Sequence, residues 1–184
     1  MSEAAKKRHN FKDISLENLG QPDENTIIWT RMTAVAKNPE HWLKFFNDPQ
    51  CNDKVPQRIV EILEVARGTM IYAVFYHPLA TVGAHQCWRV LESGVRERCK
   101  QLGIPLTFRR IVKGKEQEFP TSFNHNLNEL LDNGHFTQAR RDRWDIVRNL
   151  RNGASHPETQ GLLDPGQAQR QLELAVEFLN ELFV

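Results

Sequence analysis

The stretch RNLRNGASHP, Arg148 to Pro157, gathers two arginines, two asparagines, a serine and a histidine just before a proline. An arginine fork can hold two phosphate oxygens at once, and an imidazole exchanges protons near neutral pH. Together these side chains have the means to grip and cleave a phosphodiester. They also have a plainer use, because arginines in the last turn of a helix favour its negative end by ~0.3–1 kcal/mol each. Geometry bears on the choice. Arg151 and His156 are five positions apart, which on an unbroken helix separates them by about 140°. Gly153 can end a helix, however, and Pro157 disfavours helical angles at His156. The sequence therefore predicts that His156 leaves the helix and folds back over its end toward Arg151.

A chain of this composition contains about 1.7 pairs of Arg followed four to six residues later by His, which carries no information. Requiring Asn directly after the Arg lowers the expectation to about 0.1, so Asn152 is what makes the pattern specific. Other sites are weaker. His77, His85 and Cys87, and His125 with His135, do not fall at common zinc spacings. Ser155 beside His156 is adjacency and not a catalytic triad. There is no glycine-rich phosphate loop and no GxSxG elbow. No metal and no cofactor is expected.

The basic residues are clustered. Arg140, Arg141, Arg143, Arg148 and Arg151 share one predicted helix with Asp142 and Asp145, and the segment RRIVKGK adds Arg109, Arg110, Lys113 and Lys115. The net charge is only +1, so attraction to a polyanion has to come from such clusters. The competing reading is a solvated helix face.

These side chains need elements to position them. Ile59, Ile62, Leu63, Ala66 and Met70 recur at helical spacing from Val55 onward, with Pro56 suited to a first turn. His77–Pro78 predicts a break. A second helix follows from about Leu79 to Leu102, with Ala84, Trp88, Leu91, Val95, Cys99 and Leu102 on one stripe and Gly103 and Pro105 as its stop. IPLTFRRIVKGKEQEFP reads as a long connection. Thr121 or Ser122 can cap a short helix through Leu131. Gln138–Asn152 is the next helix, with Trp144, Val147, Leu150 and Ala154 inward. Asp164 caps a last helix that buries Ala168, Leu172, Ala175, Leu179 and Leu182. No strand pair is expected. The fold class is all-α, a bundle of four to five main helices over residues 55–184, with residues 1–54 forming an arm or small helices packed on it.

With 184 residues, 40% hydrophobic and 26% charged, the chain can bury a sizeable core. No run reaches the roughly 18 apolar residues of a membrane span, and the start lacks the apolar segment of a secretory signal. Three cysteines, Cys51, Cys87 and Cys99, fit reduced thiols in a cytoplasmic protein, with Cys87 and Cys99 packed inside.

The motif at Arg151, Asn152 and His156, the flanking RWDIVRNLRNGASHP and the apolar helix after it resemble the HEPN superfamily of helical bundles. The likeness spans about Val55–Val184 and is specific around Trp144–Pro157. It implies a metal-independent RNA endonuclease in a toxin-like or defence-like role, working as a homodimer that brings two motifs into one cleft. In that role Arg151 holds the phosphate, His156 transfers protons and Asn152 orients either one. Arg141, Arg143, Arg148 and Ser155 are the expected RNA contacts, and an antitoxin or other protein is a possible partner. The resemblance equally allows a catalytically silent module that binds nucleotide, RNA or a partner protein.

Overall fold

The computed structural model describes residues 12–33, 39–154 and 161–184. Among them are seven α-helices and one two-stranded antiparallel sheet. The helices are α1 (Glu24–Thr33), α2 (Pro39–Asn47), α3 (Gln57–Ile71), α4 (Leu79–Gln101), α5 (Phe123–Asp132), α6 (Gln138–Ala154) and α7 (Pro165–Leu182). The protein is thus mostly helical, and the five helices from α3 onward fall where the periodicity places them.

α4 is the spine. It packs against α3, α5, α6 and α7, and Ala84, Trp88, Leu91, Val95 and Cys99 are buried along it. The chain enters α4 through a short 3-10 turn at Tyr72–Val74 and the His77–Pro78 corner. Close approach of α3 depends on Gly83, where an added Cβ would lie 2.5 Å from Met70 Cγ and 2.8 Å from the Ala66 carbonyl oxygen. α7 begins with a reciprocal cap: Asp164 Oδ1 accepts from the Gln167 backbone N–H at 2.9 Å, and Gln167 Oε1 accepts from the Asp164 N–H at 3.0 Å. Its stripe of Ala168, Leu172, Ala175, Leu179 and Leu182 is at most 2% exposed.

Before α3, IIWT and HWLKFF both resolve as helix, in α1 and α2. α2 packs on α3 and α7 and places Trp42 and Phe46 in the same continuous core. Trp42 Nε1 donates to the Ile71 carbonyl at 2.8 Å. Asp23 reaches the α3–α4 corner, donating its N–H to the Val74 carbonyl and accepting from the His77 N–H.

Two expectations need correction. The stretch taken as a connection is a β-hairpin, β1 (Thr107–Val112) with β2 (Lys115–Pro120). Lys113 and Gly114 join the strands with φ of 51° and 74°, the two positive values of the tight turn that matches strand twist. Lys-Gly between two extended segments was the signal. The second correction is Leu150, expected inside and found 42% exposed. Each step of three residues falls about 60° short of a full helical turn, so Leu150 lies about 120° from Trp144.

Candidate functional site

α6 carries the motif, and its arginines divide by position. Trp144, fully buried, fixes the helix: Phe178 meets it edge-on at 4.9 Å, and Phe136 and Phe123 lie 6.1 and 6.2 Å away. On one side of it, Arg143 bridges to α7, with Nη1 2.5 Å from Glu181 Oε1 and Nη2 2.6 Å from Glu177 Oε1. These carboxylates raise its pKa. Arg140 covers the Phe136 ring at 4.5 Å and donates to the Glu181 carbonyl; its desolvation lowers its pKa.

On the other side, Arg141 is 6% exposed. It donates to Asn128 Oδ1 at 3.0 Å and Asn124 Oδ1 at 2.6 Å, and lies 2.8 Å from Asp145 Oδ1. Arg148 shares two of these partners, donating to Asn124 Oδ1 at 2.8 Å and pairing with Asp145 at 3.2 Å. Asn124 and Asn128 therefore knit α5 to α6, while Asp145 pairs with both arginines along α6. Arg141 and Arg143, expected as RNA contacts, are engaged in joining helices: one is buried, and the other has both guanidinium ends on carboxylates. Arg148 keeps a partly exposed edge.

Arg151 stands one turn further on, half exposed. Its Nη2 is 3.2 Å from Glu92 Oε2 on α4, and its Nη1 is 3.3 Å from Asn152 Oδ1. Asn152 is exposed. Ser155 and His156 lie outside the described residues, so the predicted convergence of His156 on Arg151 lies outside them as well.

Arg151 opens onto a polar groove of about 570 Å³ between α4 and α6, which His85, Arg89, Glu92, Ser93 and Arg96 also line over Trp88. A second hollow of about 460 Å³ shares His85 and Trp88 and runs on past Asn149 and Gly153 to Gln167 and Gln171 of α7. Among the described lining residues three arginines stand against one glutamate in the first groove. Partial burial lowers the pKa of His85, which favours its neutral, proton-accepting form. His85, Arg89 and Arg96 were missed as site residues. Their signal is a polar stripe at helical spacing (85, 89, 92, 93, 96) on the helix whose other face carries the core.

The cysteines are packing groups. Burial pushes Cys87 up to about 12 and Cys99 up to about 11. Among the described residues no three His, Cys, Asp or Glu side chains gather as a metal site, and no helix is long and apolar enough to cross a membrane. Comparison with protein-family models, with curated proteins and with solved structures finds no match.

Proposed function

We propose that the protein is a cytoplasmic, metal-independent RNA endonuclease of the HEPN type, acting as a homodimer in a toxin-like or defence-like role. The observation that carries this reading is Arg151 on the wall of a groove that Arg89, Arg96 and the imidazole of His85 also line. RNA presents a 2′-hydroxyl beside each phosphate. His156 takes the 2′-hydroxyl proton as the 2′-oxygen bonds to phosphorus, and Arg151 stabilises the charge growing on the phosphoryl oxygens. The phosphorus–5′-oxygen bond then breaks, and a second imidazole returns a proton to the departing 5′-oxygen. The products are a 2′,3′-cyclic phosphate and a free 5′-hydroxyl. A two-fold dimer supplies the second imidazole from the other copy's motif.

The outer face of α6 favours such a dimer: Ile146 and Leu150, four residues apart, are 55% and 42% exposed beside Leu162 at 48%. A two-fold contact across α6 of at least roughly 1,000 Å² would cover them. A second reading has its own observation. The Arg151–Glu92 pair partly neutralises the arginine, as a silent RNA-, nucleotide- or protein-binding module would tolerate.

The test is incubation of wild type, Arg151→Ala, His156→Ala and His85→Ala with a mixed RNA pool in excess chelator. The nuclease reading expects cleavage by wild type, cyclic phosphate ends and intact 2′-deoxy substrates. Intact RNA with dimeric wild type would end it in favour of the silent module. Light scattering that gives an active monomer would end the composite site.

A further inference from the structure

The β1–β2 hairpin stands clear of the bundle. Its anchors are at its base, where Thr121 donates its N–H and its Oγ1 hydroxyl to the Leu106 carbonyl, and Arg96 donates to the Thr121 carbonyl at 3.4 Å. Beyond that point every residue is exposed or half exposed. A lone two-stranded hairpin is marginally stable in water, and this one keeps Phe108 at 48% exposure.

Strand alternation sorts its side chains by chemistry. Paired residues share a face and successive ones alternate. The register sets Phe108 opposite Phe119, Arg110 opposite Gln117 and Val112 opposite Lys115 on one face. That face contains no carboxylate, and Lys113 adds a cation at the turn. The opposite face holds both acids: Glu116 lies 3.6 Å from Arg109, and Glu118 accepts from Thr107 Oγ1 at 2.5 Å. The Phe108 and Phe119 rings lie 5.9 Å apart and tilted by 30°, nearly parallel plates beside the cations. The hairpin has thus separated an aromatic, cationic face from one whose two glutamates outnumber its single arginine.

We propose that the Phe108 face of the hairpin is a binding platform for single-stranded nucleic acid, with bases stacking on Phe108 and Phe119 and phosphates held by Arg110, Lys113 and Lys115. Every base has a face for an aromatic ring, and cations track the backbone, so such a platform needs no particular sequence. The charge complementarity is specific to this face. Glu116 and Glu118 lie on the opposite face, away from an anionic ligand seated on this one. Arg96 joins the two regions, lining the groove beside Arg151 while bonding to the hairpin's base. The base of the hairpin thus lies beside one wall of that groove. The platform stands independently of cleavage.

The experiment measures binding alone, by fluorescence anisotropy with a 2′-O-methyl oligoribonucleotide about 20 nucleotides long, which cannot be cleaved through its 2′-oxygen, and with DNA of the same sequence. Phe108→Leu/Phe119→Leu keeps an apolar cross-strand pair and removes the rings, and is expected to weaken binding roughly tenfold. Arg110→Ala/Lys113→Ala/Lys115→Ala is expected to flatten the logarithmic salt dependence by about two units. Arg109→Ala, on the opposite face, is expected to change affinity less than about twofold. Tighter binding of the ribo-oligonucleotide than of DNA would assign the platform to RNA, and equal binding to single strands in general. Wild type that ignores both oligonucleotides, binds only phosphatidylglycerol vesicles, or binds no better than the two multiple variants would overturn the proposal. Binding through the hairpin without cleavage of any RNA would keep it and end the nuclease reading, whereas cleavage with hairpin-independent binding would do the reverse.

Discussion

The two halves of α6 use the same residue for different ends. In the first half Arg140, Arg141 and Arg143 contact Phe136, Asn124, Asn128, Glu177 and Glu181, and they fasten α6 to α5 and α7. In the second half Arg151 meets Glu92 and Asn152 and borders a groove, while Arg148 stands between the two, sharing Asn124 and Asp145 with Arg141. Composition alone makes α6 a uniformly basic helix. Position ties the first half to its neighbours and sets the second half beside a groove, so a count of arginines overstates the cationic surface by the number already paired.

The largest expected effect breaks the comparison at its functional end. If the second half does chemistry, His156→Ala lowers cleavage by ~10²–10⁴-fold, the usual worth of positioned proton transfer. The thermal midpoint should move little. A variant that cleaves normally would leave α6 structural from end to end. Next comes the structural end. Arg141→Ala removes a nearly buried guanidinium and its bonds to Asn124 and Asn128, while Arg148 still reaches Asn124 and Asp145, and a loss of about 1.5–3 kcal/mol in urea unfolding is expected. Arg151→Ala, half exposed, should cost less than ~1 kcal/mol while weakening RNA binding. Equal losses for the two would erase the distinction between the halves.

A smaller effect sharpens it. Arg143 is exposed enough that its pairs with Glu177 and Glu181 are screened, so Arg143→Met should cost at most about 1 kcal/mol, and less as salt rises. Glu92→Gln should do the opposite for Arg151 by releasing it from its carboxylate. Oligonucleotide affinity is then expected to rise by a factor of about two to five, read by anisotropy titration. A fall in affinity would mean that Glu92 holds Arg151 in its binding geometry.

The sequence carried the helices well because helical signals are local. Asp164 and Gln167 cap α7 from three residues apart, and Ala168, Leu172, Ala175, Leu179 and Leu182 repeat every three or four residues along one buried face. The hairpin was hidden for a local reason too. β1 reads TFRRIV, two adjacent arginines break the simple alternation, and only the Lys113–Gly114 pair betrays the turn. The division of the arginines was hidden for a different reason. Arg148 finds Asn124 24 residues away, Arg143 finds Glu177 and Glu181 at 34 and 38, and Arg151 finds Glu92 at 59. No pattern along one helix encodes partners on three others. The same holds for His85, whose value as a proton acceptor comes from the groove that α6 closes over it.

His85 gives the smallest and most selective test. Its pKa is lowered from the ordinary histidine value of 6.5 by burial, in a groove that Arg89, Glu92, Arg96 and Arg151 also line. The folded protein therefore binds this proton less readily than the unfolded chain does. Above 6.5 both states leave His85 neutral, and its contribution to stability is fully present. As pH falls below 6.5 the unfolded chain takes up a proton that the folded chain refuses, so stability declines through the window between 6.5 and the lower folded value. His85→Gln keeps a polar side chain of similar reach and removes the titration. Urea melts at a series of pH values should show a shallower decline below 6.5 for His85→Gln than for wild type, with the two curves parallel above it. Parallel stability curves across the whole range would show that His85 titrates as it does in the unfolded chain, and the groove would then owe its chemistry to the second half of α6 alone.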